Sequence, residues 1–131
     1  MRVAVVIPAR NEEASLAAAI RSVLHQTQPA HRIVVVVNNS SDRTEQVARG
    51  FSDQGVEVVV MAANPDRKAG ALNHAVMPLL VQLHERDAVL TMDADTELAP
   101  DFIATAAPHL LTRTRPDGRR GPLNGAVGGL Y

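Results

Sequence analysis

Four short aliphatic runs, residues 3–7, 33–37, 56–61 and 88–92, constrain this chain more than any other feature. A strand with one wet face alternates apolar and polar residues, so runs without that alternation indicate strands covered on both faces, the habit of a mainly parallel sheet. A fifth run at residues 126–131 reads the same way. Parallel neighbours need crossover connections, and helical patterns lie between the runs.

The first helical pattern starts near Asn11 and places Leu16, Ala19, Ile20, Val23 and Leu24 on one face before Gln26 to Pro29 end it. A second begins with Ser41 or Asp42 as cap, Asp42 and Glu45 having capping-box spacing, and buries Val47, Ala48 and Phe51, with Gly55 as the following turn. A third covers residues 69–83 with a kink expected at Pro78, and a fourth runs from Pro100 to Leu110 or Leu111, with Pro108 inside it. Residues 112–125, with arginine, proline and glycine, read as an exposed loop. The order describes a single α/β domain over residues 1–131, a parallel sheet flanked by helices. Ligands on such sheets bind beyond the carboxyl ends of the strands.

Composition excludes several functions. A chain of 131 residues that is 46% hydrophobic supports one modest core. Thirteen basic residues against fourteen acidic ones leave a formal charge of −1, with no sign of a nucleic-acid-binding surface. The absence of cysteine removes disulfides, thiolate nucleophiles and sulfur-ligated zinc, and makes the cytoplasm the default compartment. No run approaches the ~20 apolar residues of a membrane span, although attachment of a longer parent protein to the cytoplasmic face of a membrane stays open.

Polar clusters follow the expected strands at Pro8 to Glu13, Asn38 to Thr44 and Asp93 to Thr96, and another lies at Asn64 to Asn73. Together they describe one crevice. In Asp93-Ala94-Asp95, residues two apart in an extended chain face the same side, bringing two carboxylates to one hard cation. Taken alone, such a pair reads equally as solvated turn aspartates before a helix. The histidines His25, His31, His74, His84 and His109 lack metal-like spacing.

The segments Val6-Ile7-Pro8-Ala9-Arg10-Asn11-Glu12-Glu13, Ser22-Val23-Leu24-His25-Gln26-Thr27, Val35-Val36-Val37-Asn38-Asn39-Ser40-Ser41-Asp42-Arg43-Thr44, Lys68-Ala69-Gly70-Ala71-Leu72-Asn73 and Met92-Asp93-Ala94-Asp95-Thr96 resemble, in order and spacing, the motifs of family 2 glycosyltransferases. The resemblance implies a Rossmann-like GT-A fold, truncated at its C-terminus, a nucleoside-diphosphate sugar donor such as a UDP-sugar, a divalent Mg2+ or Mn2+, and inversion at the anomeric carbon. It implies that Pro8, Ala9 and Arg10 pack on base and ribose, with Glu12 or Glu13 near the ribose. Arg10 stands where the family often has tyrosine, offering a guanidinium plane in place of a ring. Asn38 and Asn39 replace the usual aspartates that meet the base. An asparagine amide both accepts and donates, which alters base preference; otherwise these residues only turn the chain and cap a helix. Lys68 falls near the diphosphate, with Arg67 a weaker candidate. Asp95 is expected as metal ligand, with Asp93 and Ala94 beside the ribose and metal.

Inversion also needs a carboxylate base, which the family supplies after the metal motif. The resemblance therefore places it beyond Tyr131, with an unknown acceptor and little or no turnover expected of this chain alone. A haloacid-dehalogenase-like phosphatase using Asp93 as nucleophile and a non-catalytic nucleotide-sugar-binding module are the alternatives. A dinucleotide-binding domain is disfavoured because no glycine-rich turn follows the first strand.

Overall fold

The computed structural model describes residues 2–38, 40–61 and 87–111, with side chains up to residue 108. Its elements are β1 (Val3–Ala9), α1 (Leu16–Leu24), β2 (Arg32–Asn38), α2 (Thr44–Arg49), a 3-10 turn (Ser52–Gln54), β3 (Val56–Met61), β4 (Ala88–Thr91) and α3 (Phe102–Leu111). The helix expected at residues 69–83, the loop at 112–125 and the strand at 126–131 lie outside the described residues, as do Asn39 and Lys68.

The strands pair in parallel in the order β3-β2-β1-β4. The double coverage expected of all four runs holds for the central pair: every residue of β1 is buried, and every residue of β2 after Arg32. In the outer strands β3 and β4, each with one neighbour among the described strands, burial is mixed. Val3, Val5, Ile7 and Ala9 join Val35 and Val37 against Leu16, Ile20 and Val23 of α1 and Ile103 of α3. The alternate residues Ala4, Val6, Val34 and Val36 form a second cluster. The two sets are the two faces of the pleat, and the described helices pack on the first.

Three element boundaries differ from the sequence reading. The first strand continues through Pro8 and Ala9. The first helix begins at Leu16 and not near Asn11, because Asn11 takes φ 52°, a left-handed conformation that no right-handed helix accommodates. At α2 the Asp42–Glu45 capping box does not form. Asp42 Oδ1 accepts from the Thr44 amide at 3.0 Å, whereas Glu45 Oε1 turns away to accept from Arg49 at 3.0 Å. The last described helix starts at Phe102, just after Pro100, and continues through Pro108.

Gly55 ends the 3-10 turn at φ 84°, and a side chain added there would meet nothing within 4 Å. Its substitution therefore isolates the backbone cost. Gly55→Ala is expected to lower unfolding free energy by ~1 kcal/mol, and Leu16→Ala, at a fully buried position, by about 2–5 kcal/mol. Urea denaturation of the three proteins checks both values and their ranking.

Candidate functional site

The crevice arises where two neighbouring strands part. Backbone groups of even-numbered residues around β1 face β4: Arg2 O accepts from Ala88 N at 2.9 Å and Val6 O from Met92 N at 3.1 Å. The β1–β4 register ends at Val6 and Thr91, while β1 and β2 stay paired out to Ala9 and Val37. By this alternation, the position on Pro8 that would carry an N–H faces the side β4 has just left. Proline in a central strand normally breaks a ladder, but here no rung is lost. With β2 and β4 on opposite sides of β1, this is the switch point where open α/β sheets take ligands.

Pro8, Ala9, Arg10, Glu12, Asn38, Asp93, Ala94 and Asp95 line the resulting crevice of about 280 Å³, close to the lower bound of roughly 300 Å³ for ligand clefts. These eight come from three strand ends, so the sequence-expected loops converge. Pro8 and Ala9 are buried and form a small-residue floor, while Arg10, Asp93 and Asp95 are exposed. Asn38 is not a turn residue: it ends β2, buried, and its Oδ1 meets no hydrogen-bond donor, although the residue has other partners. Glu13 does not line the crevice; its Oε2 accepts from the Arg43 amide at 3.1 Å.

The two aspartates are presented differently from the sequence reading. Thr96 N donates to Asp93 O at 3.1 Å, so the carboxylates leave a turn after β4 and not an extended chain. Ala94 is buried between them, packed in the core cluster. Among the described residues no group of three or more His, Cys, Asp or Glu side chains is placed to hold a metal. Two carboxylates nonetheless match the donor set of Mg2+ or Mn2+, which takes one or two from protein and the rest from phosphate and water.

A set of hydrogen bonds that the sequence reading did not anticipate ties the first two loops together. Asn11 Oδ1 accepts from Ser41 N at 2.8 Å, and Asn11 N donates to Ser40 Oγ at 3.1 Å. Buried Thr44 accepts from Glu12 N at 2.9 Å and passes its own hydroxyl proton's bond to Asp42 Oδ1. Asp42 Oδ2 accepts from Glu13 N at 3.3 Å, and Glu12 Oε2 from Ser15 Oγ at 2.9 Å. The only signal in the sequence is that these are polar residues inside the quoted motifs.

The Thr44 hydroxyl, assisted by the Thr44 and Glu13 amides and opposed by desolvation, holds the Asp42 carboxyl below its ordinary 3.8. A depressed folded value means that this contribution is complete at neutral pH and fades as pH falls below 3.8 through the folded value. Asp42→Asn is therefore expected to lower Tm at pH 7, with the gap to the unmodified protein closing below about pH 3.8. Thr44→Val strands the Glu12 amide and should cost about 1–3 kcal/mol. Thermal melts across pH 2–7 check the first and urea denaturation the second.

The model of glycosyl transferase family 2 matches residues 4–115. No curated protein matches the chain significantly. Among solved structures, S. aureus TarS 1-349 is similar at TM-score 0.63 and 22% identity over 84% of this chain and 32% of that one, and TarS has been solved with UDP-GlcNAc. Glucosyl-3-phosphoglycerate synthase from Mycobacterium tuberculosis, solved with Mn2+, UDP and phosphoglyceric acid, is similar at TM-score 0.56 and 24% identity over 73% of this chain and 34% of that one. A 4-diphosphocytidyl-2C-methyl-D-erythritol synthase follows at TM-score 0.55 and 20% identity, over 71% of this chain and 46% of that one. At these identities the structures speak for the shared α/β fold, and the chain spans about a third of the length of TarS 1-349 and of glucosyl-3-phosphoglycerate synthase. The match over residues 4–115, on a parallel sheet of Rossmann-like GT-A type, shows that the chain belongs to glycosyl transferase family 2.

Proposed function

We propose that residues 1–131 form the donor-binding part of a metal-dependent, inverting glycosyltransferase that takes a sugar from a nucleoside diphosphate, UDP by preference, to an acceptor hydroxyl. The observation that carries this reading is the meeting of Arg10, Glu12, Asn38, Asp93 and Asp95 in one crevice beyond β1, β2 and β4. Neighbours of the same fold bind UDP and UDP-GlcNAc, and one binds UDP with Mn2+.

In this reading the floor at Pro8 and Ala9 admits a flat base, and the Arg10 guanidinium stacks on it. The Asn38 amide pairs with the base edge by accepting and donating, and Glu12 takes a ribose hydroxyl. Lys68, outside the described residues, is assigned to the diphosphate from its motif alone. Asp95, with Asp93 beside it, would hold a divalent ion, which when bound supplies charge neutralisation to the departing diphosphate. The three crevice carboxylates are then committed to nucleotide and metal. Deprotonation of an acceptor hydroxyl attacking opposite the diphosphate needs a further carboxylate, which the resemblance places after the metal motif.

A second reading, a nucleotide-sugar-binding module without turnover, is favoured by asparagine in place of aspartate at position 38. Calorimetric titration with UDP and GDP, with and without Mn2+, distinguishes the two. We expect UDP binding that requires Mn2+ and is lost in Asp95→Ala, and no release of UDP from UDP-GlcNAc by this chain alone. Metal-independent UDP binding supports the module, and turnover by the isolated chain refutes the assignment of the base.

A further inference from the structure

The motif Ser22 to Thr27 contributes nothing to the crevice lining, yet it holds a buried polar side chain with every polar atom engaged. Gln26 lies just past α1 and is 7% exposed. Its Nε2 donates to Ser22 O at 3.0 Å and to Ala99 O at 2.6 Å, and its Oε1 accepts from Ile103 N at 3.0 Å. Ser22 lies in the last turn of α1, and Ile103 N–H is in the first turn of α3, where helix donors lack intrahelical partners. One amide thus joins the end of one helix, the start of another and a loop carbonyl between them.

Neighbouring bonds reinforce the junction. Ser22 Oγ donates to Ala19 O at 2.7 Å and accepts from Leu98 N at 3.0 Å, and Thr27 N donates to Pro100 O at 2.8 Å. Leu98, Ala99, Pro100 and Ile103 are therefore each fastened to the end of α1 or the residues just after it. These residues follow the Asp93–Thr96 turn, whose other side is fixed to β1 by the Met92–Val6 rung at 3.1 Å. The carboxylate-bearing turn is held between a sheet rung and this junction, with Ala94 and Leu98 packed in the core beneath it.

We propose that Ser22 and Gln26 are positioning residues that set the stance of the Asp93 and Asp95 carboxylates by fixing residues 98–103 to α1. This rests on the reading of the crevice as a metal and diphosphate site, because a carboxylate pair serves a cation only when its geometry is preorganised. An apolar residue at position 26 would leave the buried Ile103 amide without this partner and the Ala99 carbonyl with only the Phe102 amide, and the loop would shift to find another.

The test uses Ser22→Ala, which removes the bond to Leu98, and Gln26→Glu, which keeps an acceptor for Ile103 but sets carboxylate oxygen against two carbonyls. Amide hydrogen exchange is followed at Thr96, whose N–H closes the aspartate turn, and at Val35 in the central sheet. UDP binding is titrated with and without Mn2+. Both variants are expected to speed exchange at Thr96 by about tenfold, the order of one lost buried hydrogen bond, and to leave Val35 unchanged. The Mn2+-dependent part of UDP affinity should fall by a similar factor, with the Mn2+-free part unchanged. Unaltered protection at Thr96 overturns the proposal, as does equal loss at Thr96 and Val35, which marks general destabilisation. An unmodified protein whose UDP binding ignores Mn2+ refutes the site reading, and the exchange at Thr96 still decides whether the junction fixes the turn.

Discussion

Strands β1 and β2 remain hydrogen-bonded out to Ala9 and Val37, whereas β1 and β4 separate after Val6 and Thr91. That unequal pairing generates the rest of the site. It opens a gap beside the last residues of β1, tolerates Pro8 in the middle of a sheet, and sends the loops after β1 and β4 around a shared space. Because β1 is buried along all seven positions, the floor of the gap is anchored in the core of the sheet.

The residues around the crevice are held by polar contacts that never enter it. Asn11, Asp42 and Thr44 tie the loop after β1 to the loop after β2, and Ser22 and Gln26 tie the loop after β4 to α1. Each device satisfies backbone groups that would otherwise be buried or left at helix ends without partners. Exposed carboxylates and an exposed arginine can then stand near one another on loops whose backbones have little freedom. Such a division between supporting and ligand-facing side chains suits recognition of a charged nucleotide, where small displacements weaken electrostatic complementarity.

Much of this was legible in the chain. The aliphatic runs located all four described strands to within two residues, although burial on both faces holds only for β1 and for β2 after Arg32. The apolar spacing of Leu16, Ala19, Ile20 and Val23 correctly gave the inward face of α1, and the strand-end polar clusters gave eight residues that line one crevice. Some details differ from what spacing alone suggests. Glu45 has capping-box spacing from Asp42 but bonds Arg49, and Glu13 sits beside Glu12 but faces Arg43. Asp93 and Asp95 reach the crevice by a turn and not by strand alternation.

The sequence by itself determined the order of the described strands and helices, the inward face of α1 and the family, because each is written in periodicity or in ordered motifs with short spacing. Only the tertiary structure decided which side of β1 receives β4, and hence where the gap falls. It also decided which polar residues serve the backbone and which face the crevice. Hydrogen bonds such as Glu12–Thr44 and Gln26–Ile103 join residues 32 and 77 positions apart. A linear pattern carries no record of such pairings, since they exist only once burial of the sheet has folded the loops against each other.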